Sequence, residues 1–209
     1  MGEVVVVDHG LVQHKLTLMR SVETDPPLFR QLLREVAVML AYEALASLPT
    51  VPFEVQTPLG PAVGSRLTTD PAIVSILRAG NGLLDGFLDV VPSASVGFIG
   101  MYRDHDTLEA VEYYTNIPSA LDARVTIVVD PMLATANTAI SALTRLREAG
   151  ATDLRLVTLV SAPEGIERLH EAHPDVSLIT ASIDSHLNDV GYIVPGLGDA
   201  GDRIYGTSS

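Results

Sequence analysis

Cysteine is absent from this chain of 209 residues. No disulfide framework, thiol nucleophile or thiolate metal site can therefore be built. Cations are scarce too: 13 Lys and Arg stand against 26 Asp and Glu, a formal net charge of −13. That balance excludes a general nucleic-acid surface, because phosphate backbones are held by Lys and Arg. An anionic substrate must instead be gripped by a few local cations. No apolar run approaches the roughly 20 residues that a membrane-crossing helix needs. The first apolar run, bracketed by Glu3 and Asp8, lacks the basic start and the length of a signal peptide. The expectation is a cytoplasmic protein with neither nucleic acid nor membrane as partner. No repeat, low-complexity tract or linker divides the sequence, so residues 1–209 are read as one domain.

What is present is a chain built to fold. Hydrophobic residues make up 47% and charged residues 19%, which allows a substantial core and excludes disorder. EVVVV (3–7) reads as a short strand. The following HGLVQHKLTLMR reads as a helix carrying His9, His14 and Arg20, too polar to stand alone and so packed across a neighbouring element or subunit. Asp25-Pro26 opens the next helix by the cap and first-turn rule, with Phe29, Leu32, Leu33, Val36, Leu40 and Ala41 on one face and a stop near Leu48-Pro49-Thr50. Residues 52–67, with Leu59-Gly60-Pro61 in their middle, form a hairpin. Strands are expected at 72–77, 95–102, 108–115, 125–129, 154–160 and 176–183. Helices are expected at 83–91, over Ile140, Leu143 and Leu146 up to Gly150, and at 164–172. Continuous apolar strands alternating with helices specify an α/β fold with a mostly parallel central sheet flanked by helices. The Gly- and Asp-rich tail, Asn188 to Ser209, is expected to be ordered only by what it covers.

Chemistry concentrates in VTIVVDPMLATANTA, residues 125–139. A buried strand delivers Asp130 and then a loop, Ala134 to Thr138, which offers backbone N–H groups, two hydroxyls and a helix N-terminus to an anion. Asp130 would repel phosphate and needs another partner, a ribose hydroxyl pair or a metal shared with the phosphate. Acid first and phosphate loop second point to a sugar phosphate. Arg78 directly follows the strand at 72–77, where it serves either solvent or an anion. Gly80 and Gly82 either admit a diphosphate to the backbone or allow close packing.

The loop VVDPMLATANTA resembles that of the phosphoribosyltransferases, and DPMLAT resembles the uracil phosphoribosyltransferase family in particular. VDHGLVQHKLTLMR, ILRAGNGLLDG, MYRDHDTLEAVEYY and GYIVPGLGDAGDRIYGT resemble the same family in the same order. The resemblance implies transfer of a phosphoribosyl group from phosphoribosyl diphosphate (PRPP) to uracil, with Mg²⁺ bound mainly through PRPP. It implies PRPP contacts from Arg78, Arg103, Asp130, Pro131, Met132, Leu133, Ala134, Thr135, Ala136, Asn137, Thr138 and Asp199. Of these, Arg78, Arg103, Asp130 and Asp199 are the catalytic set. Uracil would meet Ile193, Gly198, Asp199 and Ala200 in a C-terminal hood. From the residues themselves, the polar loop after Arg103 and the hairpin it makes with residues 108–115 are read as a lid, with Asp104 and Asp106 orienting the arginine or facing solvent. Homo-oligomerisation, as a dimer or larger, is implied through the N-terminal segment and the hairpin arm. GTP is an effector in part of the family.

The chain departs from the family pattern at Ala136 and Asn137, where glycines are usual. Alanine tolerates positive φ poorly, so the loop is expected to keep Ala136 at negative φ or to bind phosphate less tightly. A non-catalytic sensor of uridine nucleotides or PRPP with the same fold, and an enzyme for another base, stay open as alternatives. GLGDAGDR lacks the alternating acids and closing glutamate of a calcium loop and reads as a turn. His170 and His173 are expected to face solvent rather than bind zinc. Tyr113 and Tyr114 are expected to be strand residues with one face buried.

Overall fold

The computed structural model describes residues 2–103 and 110–207. The first half of the chain contains β1 (Val4–Val6), α1 (Gly10–Arg20), α2 (Pro26–Ala44), β2 (Thr50–Thr57), β3 (Gly60–Leu67), β4 (Ala72–Leu77), α3 (Asn81–Val90) and β5 (Ser95–Arg103). It continues through β6 (Ala110–Asn116), β7 (Val125–Val129), β8 (Met132–Leu133), α4 (Asn137–Glu148), β9 (Asp153–Ser161) and α5 (Pro163–Ala172). The last elements are β10 (Ser177–Ile183), β11 (His186–Leu187), β12 (Ile193–Val194) and α6 (Ala200–Tyr205).

The central sheet runs β1-β10-β9-β7-β4-β5-β6, with β8 continuing alongside β9. Its pairings are parallel except β5 with β6. Side chains of one strand alternate between faces, and β7 shows the result. Val125, Ile127 and Val129 enter one core with α1, α2 and α3, whereas Val128 enters the other with α4 and Leu169 of α5. A sheet covered on both faces accounts for the continuous apolar strands.

Local chemistry explains the helices. Asp25 caps α2 by accepting from the Leu28 N–H at 2.9 Å, with proline in the first turn. The helix ends at Ala44, one turn before the expected stop. His9 caps α1, which buries Val12, Leu16 and Met19 at helical spacing against α2 in the same chain. The polar first helix thus finds its partner without a second subunit. The hairpin of β2 and β3 turns at Pro58-Leu59 and keeps nearly all its residues exposed.

Three expectations need correction. Tyr113 and Tyr114 lie in a strand, but they are 55% and 45% exposed because β6 is the sheet's edge. His170 and His173 are buried rather than solvent-facing. His173 Nε2 lies 3.1 Å from Thr144 Oγ1, and His170 Nε2 lies 3.1 Å from the Val176 carbonyl, which ties α5 to its neighbours. The tail is more than a covering, since it forms β12 and a capped helix, α6.

Candidate active site

The direction of chain travel reverses between two neighbouring strands. The chain leaving β4 crosses by α3 to β5 on one side, and the chain leaving β7 crosses by α4 to β9 on the other. In open α/β sheets the crevice outside such a pair of strand ends is where ligands bind. Arg78 directly follows β4 and Asp130 directly follows β7. A cleft of about 200 Å³ lies there, lined by Arg78, Ala79, Asp130, Met132, Asp199, Ala200 and Gly201. Two strand ends and the N-terminus of α6, far apart in sequence, converge on one space.

The turn after β4 is tightly built. A Cβ on Gly80 would stand 2.6 Å from the Ile76 carbonyl oxygen, and one on Gly82 would meet side chains of Leu33 and Ile204. Close packing is therefore the use of both glycines. Ser75, fully buried in β4, donates to Asn81 Oδ1 at 2.8 Å and ties the turn to the strand. The Leu77–Arg78 and Val194–Pro195 peptide bonds are cis. Arg78 is exposed and lines the cleft, where its guanidinium can meet an anion while one face lies towards the Tyr205 ring.

Asp130 is partly open to solvent at the cleft but enclosed by protein elsewhere. Desolvation pushes its carboxyl up to about 7, against the lowering influence of the Met132 N–H. Such perturbed acids in clefts mark ligand-handling groups. Asp199 caps α6, accepting from the Asp202 N–H at 2.9 Å.

The loop from Ala134 to Thr138 follows β8 and opens α4 outside the lining of that cleft. Ala136 is its pivot, with φ 63° and ψ −3°. Of the two alternatives expected for this loop, negative φ at Ala136 is thus overturned, which leaves weaker phosphate binding as the other. A left-handed alanine costs on the order of 1–2 kcal/mol, so surrounding packing must over-determine it; Ala136 is only 5% exposed, within the core beside α4. The first N–H groups of α4 have no partner within the helix and remain available to an anion. Pro131 and Leu133 are fixed by their carbonyls, which accept from Leu159 and Val160 and from Ala162.

Of the residues expected at the base, Ala200 lines the cleft and is buried. Ile193 is buried in β12, and Gly198 has φ 80° just ahead of Asp199. Sequence reasoning missed how this segment is held. Arg20 of α1 makes a two-pronged pair with Asp184, at 2.7 and 2.6 Å, and donates to the Gly196 carbonyl. Asp184 in turn accepts from the Gly196 N–H at 2.9 Å. Burial alone would raise the Asp184 carboxyl, but bonds from Arg20, Ser182 and Gly196 outweigh it and hold it below the usual range. Arg203 donates to the carbonyls of Leu197, Met19 and Ser21 and stacks over Phe29 at 4.6 Å. The only sequence signal was two arginines in a chain poor in cations.

Arg103 ends β5 at the far side of β4, but its side chain, like Asp104, Asp106 and the loop of the expected lid, lies outside the described residues, whereas the lid's returning strand is β6, paired antiparallel with β5 at the sheet edge. Among the described residues no three His, Asp or Glu side chains are grouped to cage a metal, and no helix is long and apolar enough to cross a membrane.

Comparison with known proteins places this geometry. The sequence profile described as uracil phosphoribosyltransferase matches residues 6–207. A protein of that name from Paracoccus denitrificans (strain Pd 1222) is 55% identical over 207 residues, covering 97% of this chain and 96% of its own. One from Agrobacterium fabrum (strain C58 / ATCC 33970) is 56% identical over 208 residues, covering 99% and 100%. The solved structure of the AQ2163 protein from Aquifex aeolicus is 38% identical and superposes with a TM-score of 0.93 over 98% of this chain and 99% of that one. With near-complete coverage at these identities, and with an acid and an arginine at adjoining strand ends of the same sheet, the chain belongs to the uracil phosphoribosyltransferase family.

Proposed function

We propose that this protein transfers the phosphoribosyl group of PRPP to uracil, giving uridine monophosphate (UMP) and diphosphate, and that the whole chain acts as one phosphoribosyltransferase domain. The supporting observation is the cleft that brings Arg78, Asp130, Asp199 and Ala200 together at the reversal point of the sheet. In the reaction the bond from ribose C1′ to the diphosphate oxygen breaks, and a bond from C1′ to a uracil ring nitrogen forms. The nitrogen loses its proton to solvent. No covalent nucleophile from the protein is needed.

Each protein group then has a part. The N–H groups and hydroxyls from Thr135 to Thr138 hold the 5′-phosphate. Asp130, once ionised, accepts from the ribose hydroxyls. Arg78 pairs its planar fork with diphosphate oxygens and stabilises the leaving group, and Arg103 joins it. Backbone groups at Ile193 and from Gly198 to Ala200 match uracil's alternating carbonyls and N–H groups, and Asp199 faces PRPP beside the base. A base with another pattern leaves buried polar groups unpaired and is rejected. The donor set suits Mg²⁺ held mainly by substrate. Two carboxylates, Asp130 and Asp199, line the cleft without a protein cage, and Mg²⁺ takes one or two carboxylates plus phosphate oxygens. When bound it would neutralise diphosphate charge.

The exposed hairpin supports an oligomer. Val51, Phe53, Val55 and Val63 of β2 and β3 are 39–71% exposed, and an isolated two-stranded hairpin is marginally stable in water. A second copy would cover it, making a homodimer or larger assembly. A cytoplasmic location belongs to the same reading, and a GTP effector comes from family resemblance alone. The deciding experiment is a steady-state assay with Mg²⁺, PRPP and, in turn, uracil, cytosine, xanthine and hypoxanthine. UMP from uracil alone is expected. No turnover from folded protein that still binds PRPP would favour the sensor, and preference for another base would reassign the substrate.

A further inference from the structure

Arg168 lies on α5, a helix that carries none of the expected site residues, and its side chain is exposed. Its guanidinium nevertheless spans the phosphate loop. One nitrogen donates to the Thr135 carbonyl at 2.7 Å and another to Asn137 Oδ1 at 2.7 Å. The residue between those two acceptors is Ala136, the left-handed alanine. Three residues before Arg168, and so on the same helix face, Gly165 presses its bare Cα against the Ala134 carbonyl, where a Cβ would overlap it. The first turn of α5 is thus seated flush on the loop, and the arginine fork closes over it. Among the described residues no carboxylate pairs with Arg168, so its charge stays beside the loop uncancelled.

We propose that Arg168 is a positioning residue for the phosphate loop, bonding to the residue on each side of Ala136 so that the alanine keeps its left-handed conformation before substrate arrives. A backbone that must enter an unfavoured conformation on binding weakens affinity by the cost of entering it, and pre-organisation removes that cost. Glycine at 136 would need no brace, because it populates positive φ freely. An alanine there does need one. The asparagine at 137 supplies the second acceptor, and a fork with fixed geometry is suited to gripping a carbonyl and an amide together. The inference rests on reading residues 134–138 as the site of the 5′-phosphate.

The test is calorimetric titration of PRPP with Mg²⁺ into wild type, R168A, A136G and the double variant, with thermal melts in parallel. R168A is expected to weaken PRPP binding about tenfold, roughly 1.4 kcal/mol, with its melting temperature unchanged because the side chain is exposed. The KM for uracil stays as in wild type. In the A136G background, whatever that variant's own affinity, adding R168A should weaken PRPP binding by no more than about threefold, against the tenfold loss in the wild-type background. Rescue by a residue that Arg168 does not touch is what a merely structural or merely electrostatic role would not produce. Wild-type affinity in R168A overturns the proposal, as does an equal loss in both backgrounds. If wild type itself binds no PRPP, the reading of the loop falls and the proposal with it; if it binds PRPP but R168A is unaffected, only the proposal falls.

Discussion

Tyr205 and Arg78 are joined twice: the Tyr205 hydroxyl donates to the Arg78 carbonyl at 2.9 Å, and the Arg78 guanidinium lies 6.0 Å from the centre of the Tyr205 ring. The C-terminal helix that carries the base-side residues is thereby fastened to the turn that carries the diphosphate-side arginine. Loosening one should loosen the other. Y205F keeps the ring and loses one partly exposed hydrogen bond, about 1.5 kcal/mol at most, so the KM for PRPP should move by no more than about tenfold. Y205A loses ring and bond, and the KM values for both PRPP and uracil should rise together. A rise in the uracil value alone, read by steady-state kinetics, would sever the link.

Arg78 is exposed and contributes little to the core. R78A should therefore leave the denaturation midpoint within about 0.5 kcal/mol of wild type. Loss of a charge-assisted pair with diphosphate should lower kcat/KM for PRPP at least about tenfold. Unchanged kinetics would remove Arg78 from the site.

Asp130 makes stability depend on pH in an unusual direction. Its carboxyl rises from 3.8 to about 7 on folding. Between those values the unfolded chain has released the proton while the folded chain keeps it, so folding stability falls as pH rises through this window and then levels off. D130N cannot titrate. Denaturant melts should show wild type losing about 1–3 kcal/mol relative to D130N between pH 4 and pH 7, less than full burial would give because the group is partly solvated. The variant should be no less stable at pH 8 and still lose most of its turnover of PRPP. A parallel course for the two proteins would contradict the burial argument.

The pair of Arg20 and Asp184 supports the base-side segment from below. The Asp184 side chain is 2% exposed, so R20A strands a buried carboxylate at a cost of about 2–4 kcal/mol. In the same variant the Gly196 carbonyl loses a donor, and the KM for uracil should rise more than that for PRPP. Because the Asp184 carboxyl is held below its usual value, its contribution is present above about pH 4 and is lost as acid protonates it. A uracil KM unaffected by R20A would confine the pair to stability.

Strand ends were legible in the sequence because β4 and β7 are continuous apolar runs and the residue after each is charged. That was enough to mark Arg78 and Asp130 as candidates and to place the loop that follows, whereas the choice of an anion over solvent for Arg78 came from the family resemblance. The supports were not legible. Arg20 reaches Asp184 and Gly196 across more than 160 residues, and Arg203 reaches Met19 and Ser21 across as many. Nothing local in the chain signals such contacts. At Ala136 one of the two expected alternatives failed, because alanine's own preference argues against positive φ and tertiary packing overrode it. His170 and His173 looked like the polar face of a short helix, whereas α4 and the strand entry at Val176 close over that face.

The central claim is that one activated sugar spans the ends of β4 and β7 and the N-terminus of α4. Diffraction from crystals soaked with PRPP and Mg²⁺ addresses it directly. The account predicts the 5′-phosphate on residues 135–138, the ribose hydroxyls against Asp130 and the diphosphate against Arg78. Ordered PRPP seated elsewhere, as in the larger groove of about 670 Å³ between Arg30, Arg34 and Asp85, with the 200 Å³ cleft at Asp130 left to solvent, would contradict it.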